Sequence, residues 1–124
     1  MCCGYPDRLY SVDYPKADRQ SYRDLAGTIE DSSIDAVSFE DAHRHNDLKL
    51  LEQFERTTVI LGVVAIAKSE VEPVEAIRDR LQAALMHIDP ERLVAAPDCG
   101  LGLLGRELAR QKINHLCEAA HTFG

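Results

Sequence analysis

The chain has 124 residues, of which 45% are hydrophobic and 28% are charged, and its formal net charge is −7. This length allows one domain at most, and the apolar fraction is enough for a hydrophobic core. The negative charge and the lack of a basic stripe argue against nucleic acid as a partner, because its phosphates would be repelled. No apolar run approaches the roughly 20 residues of a membrane span, and no export signal opens the chain. We therefore expect a cytoplasmic protein with reduced cysteines.

The opening of the chain predicts a loop, a helix and a strand. Residues 5–16 are rich in Asp, Tyr and Pro without a period, which is typical of a loop. Apolar side chains at helical spacing then predict a helix over 19–30. The residues expected to face the core from this helix are Tyr22, Leu25 and Ile29. Residues 34–39 predict a strand, and the carboxylate of Glu40 stands at its end.

The middle of the chain predicts a second helix and a fully covered strand. Asn46 or Asp47 can cap this helix, since both side chains accept hydrogen bonds from free backbone N–H groups. The residues expected to face inward from it are Leu48, Leu51 and Phe54. Residues 57–67 contain an apolar run without alternation, which is typical of a parallel strand covered on both faces.

The last third of the chain predicts a helix, a short strand and a final helix. Pro73 suits the first turn of the first of these helices. Its apolar residues repeat at steps of three and four, at Val74, Ile77, Leu81, Leu85 and Ile88. Residues 93–96 predict the strand, and 105–122 predict the last helix. Its expected inward residues are Leu108, Leu116, Cys117 and Ala120. Strand and helix thus alternate three times, which predicts right-handed parallel units of an α/β fold.

Side chains suited to metal binding stand at the predicted strand ends. The sequence Pro-Asp-Cys-Gly-Leu at 97–101 follows the last strand, so it places the thiol of Cys99 at a strand's C-terminal end. In α/β proteins, that end is where ligands bind and chemistry is done. Glu40 ends another strand, and Cys2 opens the chain. Two thiolates and one carboxylate form a set that binds zinc and leaves a position open to a substrate.

The motif at 97–101, preceded by Asp-Pro-Glu-Arg-Leu at 89–93, resembles the C-terminal end of the cobalamin-independent methionine synthase family. In that family, zinc is held by a His-x-Cys pair, by a Glu at the end of the next strand and by the Cys of the Pro-Asp-Cys-Gly motif. The resemblance implies that Cys2, Glu40 and Cys99 are zinc ligands in this chain.

The resemblance spans nearly the whole chain and implies a (β/α)₈ barrel. Such a barrel needs eight strand–helix units and about 250 residues, whereas this chain supplies three units. Met1 falls on the "x" of the His-x-Cys pair, so the His would precede the first residue. We therefore expect residues 1–124 to be the C-terminal part of an incomplete catalytic barrel whose N-terminal portion is missing, through an internal start or a truncated gene.

The resemblance also implies a function, the zinc-dependent transfer of a methyl or alkyl group to a small-molecule thiol. In the family, which serves methionine biosynthesis, the sulfur of homocysteine takes a methyl group from a methylated folate. Two departures stand at strand ends. Ala65 and Ala67 replace an Asp-x-His whose His is taken to be the proton donor, and residues 41–45 replace a Ser-Arg-Ser pattern. These departures favour a relative with another donor or thiol, such as the epoxyalkane:coenzyme M transferases.

Two other function classes stay open, a structural zinc module and an inactive remnant of the enzyme. Structural zinc sites favour closely spaced Cys-x-x-Cys pairs, and the three ligands here are far apart in the sequence. Several further side chains have plainer interpretations. We expect Cys3 to be a bystander, Cys117 to be a core residue, and His43 and His45 to lie in a solvated loop. Asp98 would either orient a ligand or cap its turn.

Overall fold

The computed structural model describes residues 18–124, so Cys2, Cys3 and the predicted loop at 5–16 lie outside the described residues. In the described part, three parallel strands form one sheet in the order β1, β2, β3. The strands are Ala36–Glu40 (β1), Thr58–Val64 (β2) and Leu93–Pro97 (β3). The helices are Gln20–Glu30 (α1), Val74–Ala84 (α2) and Arg106–His121 (α3), with short 3₁₀ helices at Leu48–Gln53 and Pro90–Arg92. None of these helices is long and apolar enough to cross a membrane.

The register of the sheet aligns the C-terminal ends of its strands. Glu40 of β1 lies opposite Gly62 of β2, and Gly62 lies opposite Ala96 of β3. The pairing of β2 with β3 then shifts between Gly62 and Val64. Because all three strands are parallel, the residues that follow them emerge at one edge of the sheet.

The hydrophobic core lies between the sheet and its helices. Burial alternates along β1, where Val37 and Phe39 are buried and Ser38 is only partly covered. The ring of Phe39 is central, since its centroid lies 5.1 Å from that of Tyr22 and 5.4 Å from that of Phe54, in edge-on and tilted contacts. The helical residues that complete this core are Ile77, Leu81, Leu116 and Ala119.

The helices require three corrections to the predicted core positions and helix types. Leu25 is wrong as a core residue, because it is 45% exposed and the buried positions of α1 are Tyr22, Ala26 and Ile29. Cys117 is also exposed, because the buried positions of α3 include its neighbour Leu116 instead. The element capped by Asp47 is a 3₁₀ helix of six residues and not an α-helix. The Asp47 carboxylate accepts a hydrogen bond from the Lys49 N–H at 3.1 Å, which decides between the two candidate caps.

A buried lysine fastens the loop between β2 and α2 to α3. Lys112 is 0% exposed, and its Nζ donates to the Ala65 carbonyl (3.0 Å), the Glu70 carbonyl (2.5 Å) and the Glu72 carboxylate (2.8 Å). The other carboxylate oxygen of Glu72 accepts from the Ala65 N–H at 2.8 Å. An ammonium group has three protons to donate, and all three have acceptors here, so the charge can be buried.

We expect Lys112→Met to destabilise the fold strongly. The change leaves the Glu72 carboxylate without its cation, and the expected loss is about 3 kcal/mol, near the lower end for a broken buried pair because Glu72 keeps some access to water. Urea unfolding measures the loss. Lys49→Met is the control, since Lys49 is exposed and its loss should change stability by less than about 0.5 kcal/mol. Equal effects of the two changes would contradict this account of Lys112.

Candidate functional site

The C-terminal edge of the sheet carries the two described candidate ligands. Glu40 is the last residue of β1 and is 4% exposed, whereas Cys99 follows the end of β3 and is exposed. Cys2, the third candidate, lies outside the described residues. Within residues 18–124, no group of three or more His, Cys, Asp or Glu side chains could hold a metal ion. The set of Cys2, Glu40 and Cys99 therefore stays a prediction.

One buried carboxylate joins the segments that carry these two candidates. Asp98 is 4% exposed, and its Oδ1 accepts from the backbone N–H groups of Asp41 (2.9 Å) and Ala42 (2.9 Å). Its Oδ2 accepts from the N–H of His43 at 3.0 Å. The N–H of Asp98 itself donates to the Val64 carbonyl at 2.9 Å. Asp98 thus ties the loop after β1 to the segment after β3, and it does so by contacts far along the chain and not by capping its own turn.

The bridge made by Asp98 needs a glycine beneath it. A Cβ atom built on Gly62 would overlap Asp98 Oδ1, lie 2.7 Å from Asp98 Cα and lie 3.0 Å from the Phe39 carbonyl oxygen. Two of these atoms belong to the backbone and cannot turn aside. Gly62 therefore permits the close approach of β1 and β3 to the end of β2.

Burial and hydrogen bonding have opposite effects on the pKa of the Asp98 carboxyl. Burial raises the pKa of its carboxyl to about 6, against the effect of its three backbone N–H donors, and the charge of Glu40 adds to the rise. The folded state therefore binds this proton more tightly than the unfolded chain does. The stability that Asp98 contributes is full at low pH and is lost as the pH rises through about 4 to 6.

The neighbouring Asp41 carboxylate is buried and remains ionised. It pairs with Arg80 and also accepts from the Asn46 N–H at 2.7 Å. Burial would raise the pKa of Asp41, but the hydrogen bonds from Arg80 and Asn46 and the charge of Arg80 outweigh it and hold this pKa below its usual range. Any stability linked to Asp41 is therefore lost only as the pH falls through this lowered value.

The two histidines of the predicted solvated loop have different surroundings. His45 is largely exposed, and its Nδ1 lies 3.3 Å from an Asp41 carboxylate oxygen. His43 is partly buried, and its Nε2 accepts from the Ala67 N–H at 3.1 Å. Because Nε2 accepts in this contact, the proton of a neutral His43 ring sits on Nδ1. A solvated loop thus describes His45 and does not describe His43.

Two charged residues of α2 and α3, which no sequence motif marks, are important to this edge. Arg80 lies on α2 three residues beyond the buried Ile77, and Lys112 lies on α3 four residues before the buried Leu116. Both positions continue the inward stripe of a helix. In the sequence, a basic residue within an inward-facing apolar row indicates that its side chain pairs with a buried acceptor.

We expect Gly62→Ala to destabilise the fold and to loosen the Asp98 bridge. Overpacking typically costs about 1–3 kcal/mol, and contact with backbone atoms favours the upper part of that range. Urea unfolding measures the loss, and amide hydrogen exchange of residues 41–43 should become faster. The control is Gly27→Ala on α1, where a Cβ meets no atom within 4 Å and should add about 0.5–1 kcal/mol of stability. A Gly62→Ala chain as stable as the original would refute this packing.

The chain matches the family model described as "Cobalamin-independent synthase, Catalytic domain" over residues 19–122. It is 34% identical over 94 residues to a methionine synthase of Thermococcus kodakarensis, covering 75% of this chain and 28% of that protein. A methionine synthase of Pyrococcus furiosus is 31% identical over 100 residues, covering 80% of this chain and 30% of that protein. The chain therefore spans about a third of the length of these relatives.

A solved structure of a methionine synthase is also similar to this chain. The B12-independent methionine synthase from Shewanella sp. W3-18-1, in complex with selenomethionine, superposes with a TM-score of 0.78 at 28% sequence identity. The match covers 82% of this chain and 30% of the solved chain. It confirms the predicted fold class, parallel strand–helix units of a (β/α)₈ barrel, with an open sheet in residues 18–124. The family resemblance is confirmed as well: this chain belongs to the cobalamin-independent methionine synthase family.

Proposed function

We propose that this segment supplies part of the zinc site of an enzyme that transfers a methyl or alkyl group to a thiol. The observation that carries the proposal is the Asp98 bridge, which joins the strand ends bearing Glu40 and Cys99 in a chain of this family. Residues 1–124 would be the C-terminal part of the catalytic barrel, and strand–helix units outside this segment would complete it. Coverage of about 30% of each relative supports the view that this segment is one part of a larger barrel.

The donor chemistry at the sheet edge fits zinc. A thiolate is a soft ligand that zinc accepts and that magnesium and calcium do not favour, and a carboxylate oxygen is a common companion. Cys99 is exposed, so its sulfur is accessible from outside the described core, whereas Glu40 is buried beside the bridge. We assign Cys2 as a third ligand, and a further donor would come from elsewhere in the barrel.

The roles of the chain's own residues follow from this assignment. When bound, zinc would lower the pKa of a substrate thiol and keep it nucleophilic at neutral pH. Glu40 and Cys99 would hold the metal, and Asp98 would fix the backbone on which both stand. The new sulfur–carbon bond forms as the bond from that carbon to its donor breaks, so alignment of the two substrates carries much of the rate.

The substrates proposed first are a small thiol such as homocysteine and a methyl donor such as a methylated folate. The names of the relatives support methionine as the product, and the selenomethionine in the Shewanella structure supports a pocket for such a thioether. Transfer from a folate nitrogen leaves that nitrogen in need of a proton. The strand-end side chains of Ala65 and Ala67 cannot supply one, so the proton must come from another group.

The alanines at 65 and 67 also favour a second candidate function, the alkylation of a thiol by an epoxide. Ala65 is buried, and the Ala67 N–H is already donated to the His43 ring. Neither position offers a side-chain acid, which favours a strained electrophile such as an epoxide with another small thiol. The ring can open without prior protonation, and water can then protonate the alkoxide that forms. Parallel assays of one preparation with the folate–homocysteine pair and with an epoxide–thiol pair distinguish the two candidates. Rapid methionine formation would exclude the second, and activity with neither pair would favour an inactive remnant.

We expect Cys99→Ser to abolish zinc binding and thiol alkylation in a purified polypeptide that carries this segment with the rest of the barrel. Ser is a much poorer zinc ligand than a thiolate, so the zinc content should fall from about one per chain to near zero. Glu40→Gln should reduce the zinc content less, because an amide oxygen can still coordinate. Metal analysis and a product assay provide the measurements.

The matched control for this experiment is Cys117→Ser. Cys117 is the other described free cysteine, it is exposed, and it lies in the second half of α3. Its replacement should leave zinc content and activity unchanged. If Cys99→Ser behaved like Cys117→Ser, the assignment of Cys99 as a ligand would be wrong.

A further inference from the structure

Arg80 reaches from α2 to the loop that follows β1. Its Nε donates to Asp41 Oδ2 at 2.5 Å, and its Nη2 donates to Asp41 Oδ1 at 2.8 Å and to the Asn46 carbonyl at 3.0 Å. The Asp41 side chain is 0% exposed and that of Arg80 is 20% exposed. The planar guanidinium thus meets the carboxylate at two points, a geometry that fixes direction as well as distance.

The same hydrogen bonds continue to the backbone of Glu40. Asp41 Oδ1 accepts from the side-chain amide of Asn46 at 3.0 Å, and that amide also donates to the Glu40 carbonyl at 2.7 Å. On the other side, the Asp41 N–H lies within hydrogen-bond distance of the Gly62 carbonyl (3.0 Å) and of Asp98 Oδ1. Asp41 therefore links the guanidinium on α2 to the strand end on which Glu40 stands.

The helix itself does not depend on this contact for its packing. α2 already buries Ile77, Leu81 and Ala84 in the core, and its loop is held by Lys112. The backbone N–H groups of the loop after β1 donate to the carboxylates of Asp98 and Asp41. Loss of Arg80 would leave the second of these carboxylates buried without its cation.

We propose that Arg80 is a positioning residue for Glu40: through Asp41 and Asn46 it holds the end of β1 in the orientation that a metal site at this edge requires. The metal part of this inference rests on the proposed function. Groups that orient metal ligands in this way are typically worth about 10–100-fold in metal affinity. Arg80 itself contacts neither of the two described candidate ligands through any of these hydrogen bonds.

The first test needs no metal and uses Arg80→Met in the 124-residue chain. We expect the amides of residues 41–43 and of Asn46 to exchange with solvent at least about 10-fold faster, while the amides of α2 keep their protection. Arg78→Met is the matched control, because Arg78 is exposed on the same helix and pairs only with its neighbour Asp79, at 3.2 Å, among the described ion pairs. Equal exchange in the two variants would overturn the positioning role.

The second test measures zinc affinity, by competition with a chromophoric chelator, in the polypeptide that carries the whole barrel. Arg80→Met should bind zinc about 10–100-fold more weakly than the Arg78→Met control. Arg80→Lys keeps the charge and loses the two-point contact, so it should be intermediate in both exchange and affinity. If Arg80→Met fails to fold, Arg80→Lys still tests the positioning role. A Lys variant identical to the original in both exchange and affinity would refute the proposal. Absence of zinc from the original protein would contradict the proposed function, and the exchange rates would still decide the role of Arg80.

Discussion

The arrangement of the sheet's C-terminal edge depends on one buried carboxylate. Asp98 accepts three backbone N–H groups from residues 41–43, and its own N–H donates to the end of β2. The ends of all three strands are thereby held together by one residue, through its side chain and its backbone N–H. Gly62 is required because nothing larger fits beneath it. Glu40 and Cys99 each stand next to a residue of this bridge, so their relative placement is a consequence of it.

At the opposite, N-terminal edge of the sheet, another carboxylate also accepts several backbone N–H groups. The carboxylate of Glu30 accepts from the backbone N–H groups of residues 55–57, just before β2 begins. The hydrogen bond with Thr57 is the main reason that the pKa of Glu30 is lowered, whereas burial raises the pKa of Asp98. At the N-terminal edge, the partly exposed carboxylate of Glu30 fastens the backbone that leads into β2. A buried carboxylate beside Glu40 is held where parallel sheets bind their ligands.

The sequence was sufficient for features that depend on local periodicity and on motifs. The three strands, the inward stripe of α2 and the strand-end position of Cys99 all follow from such patterns. Leu25 was misplaced because neighbouring helical positions satisfy a spacing of three or four almost equally well. Arg80, Lys112 and Asp98 act on partners 34 to 57 positions away, and although a helical stripe can show that a basic residue faces inward, it does not identify the partner. The metal set rests on strand-end positions and on the family resemblance, and it stays a prediction, as do the substrates and the place of residues 1–124 in the barrel.

Our main proposal is that the bridged strand ends hold zinc through Glu40 and Cys99. X-ray absorption at the zinc edge of the metal-loaded polypeptide tests it most directly. We expect sulfur neighbours at about 2.3 Å together with lighter neighbours at about 2.0–2.2 Å, and the loss of one sulfur in Cys99→Ser. A spectrum with only nitrogen and oxygen neighbours, or an unchanged number of sulfur neighbours in Cys99→Ser, would contradict the claim.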